Sequence, residues 1–176
     1  HDQQRLAILN DLYNPPTQRL LLTAGLRPGM RVLDVACGTG IMTRWLAEQV
    51  GPAGHVLVID QSLEQLEIAR AQTADLAHVS YKAMSVYELD SLSTCYDVVY
   101  TRFLLVHLDD PVGAMAKMKG RLKSGGVLAI VSALHKAHFC YPSSEAYDAF
   151  FELALRLMGQ NNRDIHFGQS LIPAMI

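Results

Sequence analysis

Short apolar runs alternate with amphipathic segments along this chain. Runs that are almost wholly apolar are typical of strands buried on both faces of a parallel sheet. They lie at 31–36, 55–59, 96–100 and 127–132, and a weaker, more polar strand is predicted at 78–82. Segments with apolar residues three or four positions apart predict helices, and these lie at 3–13, 17–24, 41–50, 62–74, 111–122, 143–158 and 168–176. The alternation predicts a doubly wound α/β fold with a parallel sheet and right-handed crossovers.

Several local signals refine these helices. Asn14-Pro15-Pro16 predicts the end of the first helix, because proline lacks the N–H that a helix interior needs, and Thr17 is a candidate N-cap of the next. The turn 25–29 then leads into the first strand. Helical spacing predicts a set of inward-facing side chains, namely Leu63, Leu66, Val112, Met115, Ala116, Leu122, Ala146, Phe150, Leu153, Ala154 and Leu157.

Composition and charge exclude several classes of protein. Half of the 176 residues are hydrophobic, 18% are charged and the formal net charge is −2, which is ordinary for a globular domain. No basic run indicates a nucleic-acid partner, and no segment resembles a membrane span or a signal peptide. Three scattered cysteines, Cys37, Cys95 and Cys140, show neither metal-ligand spacing nor a disulfide pattern, which predicts a reducing, cytoplasmic setting.

The strongest candidate chemistry follows the first two strands. Gly38 and Gly40 lie between a strand and a helix, where glycine lets the backbone turn tightly and approach a ligand. A dinucleotide fingerprint would place a third glycine at position 43, which is Thr43. Asp60 ends the second strand, where a carboxylate can accept hydrogen bonds from ribose hydroxyls. A plain turn and a helix N-cap are the simpler interpretations of these two features.

The run 32–40, Val-Leu-Asp-Val-Ala-Cys-Gly-Thr-Gly, resembles the first motif of class I S-adenosylmethionine-dependent methyltransferases. In that family the usual pattern is D-x-G-x-G-x-G, so Ala36 replaces a glycine. The similarity continues in order through 96–99 and 122–128 and covers about residues 17–132. It implies a Rossmann-like sheet, S-adenosyl-L-methionine as the cofactor and Asp60 as the ribose ligand. The sheet would lack the last two strands of the family.

The resemblance also implies the site residues. Where the family has Gly-Asp-Ala to bind adenine, this chain has Ala83-Met84-Ser85, so Met84 packing, backbone groups and the Ser85 hydroxyl would have to serve. After strand four, Arg102 can pair with the methionine carboxylate, although an ordinary surface arginine is an equal alternative. The expected cofactor-binding residues are Asp34, Ala36, Cys37, Gly38, Gly40, Asp60, Gln61, Met84, Ser85, Thr101 and Arg102.

The methyl acceptor is not specified by these motifs. In the family, substrate choice lies in N-terminal helices and late inserts, so we divide one methyltransferase domain, 1–176, into N-terminal helices (1–24), a cofactor core (25–132) and a helical substrate-side segment (133–176). A small-molecule acceptor is expected. Catalytic residues are unknown and no metal is expected; the groups near the expected mouth are His107, His135, His138 and Tyr141, each more simply a packing or surface residue.

Two alternatives to an active methyltransferase stay open. One is a cofactor-binding module or a truncated fragment without catalysis, which the fold does not exclude. The other is a nicotinamide-dependent oxidoreductase, which Asp34 and Thr43 disfavour. If strand five is an exposed edge, its free hydrogen-bonding groups also make a homodimer through that edge a possible arrangement, beside a fragment.

Overall fold

The computed structural model describes residues 2–132, 139–159 and 167–175. The helices and strands, in chain order, are α1 (Asp2–Thr23), β1 (Arg31–Val35), α2 (Ile41–Val50), β2 (His55–Asp60), α3 (Leu63–Gln72), β3 (Val79–Ala83), β4 (Tyr96–Arg102), α4 (Pro111–Lys119), β5 (Leu122–Val131), α5 (Glu145–Gly159) and α6 (Phe167–Met175). Two short 3-10 helices, Val86–Ser91 and Leu105–His107, follow β3 and β4. No helix among these residues has the length and apolar character needed to cross a membrane.

The five strands form one sheet in the order β3-β2-β1-β4-β5, and every neighbouring pair is parallel. The predicted α/β, Rossmann-like fold is therefore confirmed. The order reverses between β1 and β4, where Asp34 lies opposite Tyr100 and Val35 opposite Thr101. In an open parallel sheet, ligands bind outside the carboxyl ends of the strands at such a reversal.

The chain divides into two compact units. The first comprises residues 1–102 and 116–131 and contains the whole sheet with α1, α2 and α3. The second comprises residues 103–115 and 132–176. Within the second unit α6 contacts the 3-10 helix Leu105–His107, and Leu105, Val106 and Phe167 are buried.

The core of the first unit is built on one face of the sheet. Side chains alternate between the faces of a strand, so Val32, Val56, Val58, Val98 and Tyr100 point the same way. They form one buried cluster with side chains of the helices on that face, among them Leu21 of α1 and Leu46, Ala47 and Val50 of α2. Asp34, near the carboxyl end of β1, is also buried, which is unusual for an acidic residue.

The two predicted N-terminal helices are in fact one, so that prediction was wrong. α1 continues through Pro15 and Pro16. The carbonyl groups that lose their N–H partners to these prolines belong to Asp11 and Leu12, which are exposed, so water can bond to them. Thr17 is no N-cap; its hydroxyl donates to the carbonyl of Tyr13 at 2.7 Å, inside the helix.

Some inward-facing positions were also wrongly predicted. Leu66 and Met115 are buried, but Leu63, Val112 and Ala116 are exposed. The helix predicted at 111–122 ends at Lys119, and Leu122 begins β5 instead. The Ser124-Gly125-Gly126 segment, predicted to precede the strand, lies inside β5 as an irregularity, because the register changes between Tyr96↔Leu122 and Val98↔Val127.

The apolar stripe of α5 does not form a core. Phe150 is 68% exposed, and Leu153 and Leu157 are each 54% exposed; Ala146 is exposed and Ala154 is partly exposed. The stripe was predicted from periodicity, which shows only that one helix face is apolar and not that another element covers it. Residues 133–138 and 160–166, which contain His135 and His138, lie outside the described residues.

Candidate functional site

The loop after β1 is shaped by its backbone. Ala36, Gly38 and Gly40 all have positive φ, at 61°, 54° and 79°. The Ala36 and Cys37 N–H groups both donate to the carbonyl of Ile59 in β2, at 2.8 and 3.4 Å. Only glycine adopts positive φ freely, which explains why the resembled motif has glycine where this chain has Ala36.

The two glycines of this loop meet different surroundings. A Cβ on Gly40 would lie 2.6 Å from both Cα and Cβ of Ala69 in α3, so the missing side chain lets α2 begin close against α3. A Cβ on Gly38 would meet nothing within 4 Å. Gly38 thus presents bare backbone to open space, as a loop that cradles a ligand must.

Asp60 joins this loop to the tip of β2. Its Oδ2 accepts a hydrogen bond from the Gly38 N–H at 3.2 Å, and its Oδ1 accepts one from the Ser62 N–H at 2.9 Å. Two backbone donors therefore fix the carboxylate, while its remaining lone pairs can still accept hydrogen bonds from hydroxyl groups. Gln61, predicted beside it, has an exposed side chain.

Asp34 lies beneath the loop rather than on its surface. It is 1% exposed, and its Oδ2 accepts a hydrogen bond from the Thr43 hydroxyl at 2.6 Å. Burial raises the pKa of Asp34 to about 6, with the Asp60 charge adding to the rise, while the Thr43 bond and the Arg102 charge oppose it. A direct contact between Asp34 and a cofactor stays a prediction. In the sequence, Thr43 was distinctive only because it replaces the third glycine of a dinucleotide fingerprint. Its hydrogen bond to Asp34 was not predicted.

Cys37 is a thiol held in the same loop. It is partly buried, and its Sγ donates to the Gly38 carbonyl at 3.4 Å. Burial, together with the nearby Asp34 and Asp60 carboxylates, raises the Cys37 pKa well above its usual range. Cys37 is therefore protonated and is not a nucleophile at neutral pH.

The predicted adenine region follows β3. The Met84 N–H donates to the carbonyl of Asp60 at 3.1 Å, which places the two residues side by side, and the Met84 side chain is buried. Ser85 caps the 3-10 helix Val86–Ser91: its hydroxyl accepts from the Tyr87 N–H, and its own N–H donates to the Glu88 carboxylate at 2.7 Å. The Ser85 N–H is thus already bonded, and its hydroxyl proton is the donor left for a ligand.

The tip of β4 is held by side chains. The Thr101 hydroxyl donates to the Val35 carbonyl at 2.9 Å, which fixes β4 against β1. The Arg102 guanidinium donates to the side-chain oxygens of two α1 residues, Asn14 at 2.8 Å and Asn10 at 3.3 Å. Neither asparagine was predicted as a cofactor-site residue. Their spacing of four along a helix, with the side chains on one face, was the available signal.

The proposed base candidates are scattered in what the structure describes. His107 ends the 3-10 helix Leu105–His107 and is exposed, and Tyr141 is 91% exposed. His135 and His138 are outside the described residues. Within the described ranges, no three His, Cys, Asp or Glu side chains are grouped as a metal site would require. A catalytic residue is therefore not assigned.

The site thus combines a glycine loop, a fixed carboxylate on the next strand and a reversal of strand order. Open backbone at Gly38 beside the Asp60 carboxylate suits the ribose of a nucleoside. The chain is accordingly a Rossmann-like protein with the features of a nucleoside-cofactor site. Thr43 fills the position where a dinucleotide fingerprint has its third glycine, and its hydroxyl bonds to Asp34.

Comparison with known proteins defines the family. The methyltransferase-domain family model matches residues 32–126. The demethylmenaquinone methyltransferase of Staphylococcus aureus is 29% identical over 143 residues, which is 81% of this chain and 58% of that protein. The chain thus spans little more than half the length of these curated relatives.

Solved structures agree on the fold. A methyltransferase from Aquifex aeolicus, described as SAM-dependent, superposes with a TM-score of 0.61 at 23% identity, over 77% of this chain and 76% of that one. The cyclase SpnF superposes with a TM-score of 0.59 at 25% identity, over 66% of this chain and 43% of that one. Because the family match covers more than half of the chain, the chain belongs to the class I S-adenosylmethionine-dependent methyltransferases, as its motifs predicted.

Proposed function

We propose that this chain binds S-adenosyl-L-methionine at the carboxyl edge of β1, β2 and β4 and takes part in methyl transfer to a small-molecule acceptor. The observation that carries the proposal is the Gly38–Asp60 hydrogen bond at 3.2 Å. It joins an open glycine loop to a fixed carboxylate, next to the strand reversal, in a chain of the methyltransferase family.

The described residues suit the parts of this cofactor. Asp60 would accept hydrogen bonds from the ribose hydroxyls, because its carboxylate is already oriented by the Gly38 and Ser62 N–H groups. Met84 and Ser85, linked to Asp60 through the Met84 N–H, would border the adenine. The loop 36–40 and Arg102 would face the amino-acid end. Asp34, buried below, would support the loop and add negative potential.

The chemistry needs little from the protein beyond alignment. The cofactor supplies an electrophilic methyl group on a sulfonium sulfur. The chain contributes a rigid edge that holds the reacting atoms together, and proximity of this kind is worth roughly 7–11 kcal/mol of a barrier. A nucleophile in the loop is therefore not required, which agrees with the Cys37 thiol being held protonated by burial and by the nearby carboxylates.

For the methyl acceptor we propose only a chemical class, a small molecule. The Staphylococcus aureus relative is named for demethylmenaquinone, a small molecule, and this supports a small-molecule acceptor here. The net charge of −2 and the absence of a basic run in the sequence favour an acceptor other than nucleic acid. Turnover with a panel of small acceptors tests this proposal.

A second candidate function is cofactor binding without methyl transfer. The superposition on a cyclase shows that this architecture is not confined to proteins named methyltransferases. Cofactor binding with no methylated product from any acceptor would favour this candidate. Methylation of one acceptor would exclude it.

The experiment that tests the cofactor site is calorimetric titration with S-adenosylmethionine and S-adenosylhomocysteine, with NAD as the control ligand. We expect both sulfur ligands to bind and NAD not to bind. Asp60→Ala should weaken binding at least tenfold, because it removes a charged acceptor of two ribose hydrogen bonds. Glu67→Ala, which removes an exposed carboxylate of α3, is the matched control and should leave binding unchanged.

Asp60 also supports its own loop, so a second variant is needed. Asp60→Asn keeps the side-chain shape, and its thermal unfolding should stay close to that of the wild type while binding weakens. Equal affinity in the wild type and both Asp60 variants would contradict the proposed ribose contact. Binding of NAD in preference to the sulfur ligands would contradict the cofactor.

Two further properties are proposed from the same chain. We propose a cytoplasmic location, since Cys37, Cys95 and Cys140 are all free thiols; fractionation of the source cells tests it. We also propose a homodimer through β5, which is an edge strand of the described sheet and so has one side unpaired. Light scattering tests the dimer, and a monomer at every concentration would exclude it.

A further inference from the structure

A small apolar pocket lies within the first unit, between α1 and the end of β5. It has a volume of about 220 Å³ and is lined by Tyr13, Pro16, Thr17, Leu20 and Val131. None of these side chains is charged, and the lining surface is almost wholly apolar. The Thr17 hydroxyl donates to the Tyr13 carbonyl at 2.7 Å inside α1, so its proton is already bonded within the helix. The pocket therefore offers apolar contacts and no charge.

The pocket lies at the same edge of the sheet as the proposed cofactor site. Val131 is the last residue of β5 and lies opposite Arg102, the last residue of β4. The Asn14 side chain of α1 accepts a hydrogen bond from Arg102 at 2.8 Å, which attaches α1 to this edge. Neighbouring strands lie about 4.8 Å apart, so the tip of β5 is roughly 10 Å from the tip of β1, on the side away from Asp60. A ligand that runs from Asp60 across β1 to β4 would therefore end beside the pocket.

The volume limits what the pocket can hold. In another protein an apolar cavity of roughly 150 Å³ holds one benzene molecule, whereas the sites of whole small-molecule ligands measure roughly 300–1,000 Å³. A pocket of about 220 Å³ therefore matches one six-membered ring with a short substituent. Leu20, in the lining, is 45% exposed, so the pocket is open on one side and the rest of a larger ligand can extend from it.

We propose that this pocket binds an uncharged, apolar ring of the methyl acceptor and so selects acceptors of that class. The inference rests on the proposed function and adds the chemical class of the acceptor to it. A ring that leaves water for this pocket gains from the hydrophobic effect. A carboxylate or ammonium group would lose its hydration there and meet no opposite charge among the lining side chains. Leu20 and Val131 are then specificity-determining residues.

The test uses two phenols of similar size as probes. 4-Ethylphenol is neutral, whereas 4-hydroxyphenylacetate carries a carboxylate in place of the terminal methyl group. Each is titrated into the 176-residue chain, and the methyl NMR signals of Leu20 and Val131 report binding at the pocket. We expect 4-ethylphenol to shift both signals and the charged probe to bind at least tenfold more weakly.

Matched substitutions on α1 separate this pocket from other apolar surface. Leu20→Trp fills the pocket, whereas Leu22→Trp adds the same side chain at another exposed leucine that does not line it. We expect Leu20→Trp to weaken 4-ethylphenol binding at least tenfold and Leu22→Trp to change it less than twofold. Val131→Thr keeps the side-chain shape but adds a hydroxyl, and should weaken binding about threefold to tenfold. S-adenosylhomocysteine binding by each variant shows that it is folded.

An acceptor pocket must be occupied together with the cofactor. 4-Ethylphenol should therefore bind at least as tightly when S-adenosylhomocysteine is saturating as in its absence. Displacement of 4-ethylphenol by S-adenosylhomocysteine would show that the pocket belongs to the cofactor site and would overturn the inference.

Other outcomes would also overturn it. One is equal binding of the two phenols, and another is an unchanged affinity in Leu20→Trp. Contacts of the Leu20 methyl groups with another segment of the chain, or with a second copy in a mixture of labelled and unlabelled protein, would show that the pocket is already filled. Failure of 4-ethylphenol to bind while S-adenosylhomocysteine binds would refute this inference alone. Failure of S-adenosylhomocysteine to bind would refute the proposed function and, with it, the assignment of the pocket to an acceptor.

Discussion

Two stretches of the same sheet edge are built by different means. At the tips of β1 and β2, which we call the glycine edge (36–40 and 60–62), backbone groups make most of the bonds: N–H groups bond to the Ile59 carbonyl and to the Asp60 carboxylate. At the tip of β4, which we call the arginine edge (101–102), side chains make them: Thr101 to β1, and Arg102 to two asparagines of α1.

The difference has consequences for what each edge can tolerate. The backbone-to-backbone bonds to the Ile59 carbonyl persist when side chains change, so apart from the Asp60 carboxylate the glycine edge depends on which residues allow its positive φ angles and close contacts. Side-chain bonds are lost with a single substitution, so the arginine edge can change its chemistry without a change of fold. We therefore expect the glycine edge to fix the cofactor class and the arginine edge, with α1, to adjust how the ligand is held.

The largest expected effect comes from a substitution at the tightest contact of the glycine edge, between Gly40 and Ala69. Gly40→Ala should lower the free energy of unfolding by about 3 kcal/mol. The new Cβ would lie 2.6 Å from Ala69 backbone and side-chain atoms, and the φ of 79° is strained for alanine. Urea denaturation followed by circular dichroism measures this change.

Gly38→Ala provides the control for that prediction. Its φ is also positive, at 54°, but its Cβ would meet nothing within 4 Å, so we expect a loss of only about 1 kcal/mol from backbone strain. Similar losses in the two variants would show that strain, and not the approach of α2 to α3, makes Gly40 necessary.

The next prediction concerns Asp34, which lies below both edges. Its pKa is raised from 3.8 to about 6 by burial, so the folded state favours the protonated carboxyl. That contribution is complete below pH 4 and is lost as the pH rises through 6, which leaves the fold at pH 8 with a buried charge. Two pKa units correspond to about 3 kcal/mol, and Asp34→Asn should gain up to this amount of stability at pH 8.

Unfolding of the wild type and of Asp34→Asn should be measured from pH 4 to pH 8. The gain should vanish near pH 4, where both side chains are neutral, and other titrating groups cancel in the comparison. If Asp34→Asn is less stable than the wild type at pH 8, the hydrogen bonds and charges around the ionised Asp34 carboxylate more than offset the cost of burying it. Greater stability with weaker cofactor binding would show that stability is sacrificed for function at this position.

The glycine edge could be predicted from the sequence almost residue by residue. Strand, glycine turn and helix follow one another within a few positions, and Asp60 ends the next strand of the same unit. These are local relations, which motifs record well. The predicted helix at 41–50 matches α2, and the second strand and its terminal Asp60 match β2.

The arginine edge could not be predicted in the same way. The Arg102–Asn14 bond joins residues 88 positions apart, and no local pattern reports such a contact. The break expected at Asn14-Pro15-Pro16 also concealed it, since a broken helix gives no reason to read Asn10 and Asn14 as one face. The exposed apolar stripe of α5 could not be predicted for a similar reason. Helical periodicity shows which face of a helix is apolar, but not whether another element packs against that face.

The smallest expected effect concerns Thr43 of α2, the helix that follows the glycine loop. Thr43→Val removes the hydroxyl that donates to Asp34 at 2.6 Å, and we expect a loss of about 1–2 kcal/mol at pH 8. The bond favours the ionised carboxylate and so opposes the rise in its pKa; without it the pKa of Asp34 should rise further. The loss should therefore be larger at pH 8 than at pH 4.5, and Thr43→Ser, which keeps a hydroxyl, should show little of it.

Carbon-detected NMR titration of the Asp34 carboxyl group measures the pKa directly. An unchanged pKa in Thr43→Val would mean that burial and the neighbouring charges, and not this bond, set the ionisation of Asp34. The fully buried Thr43 would then act only by filling space between β1 and α2.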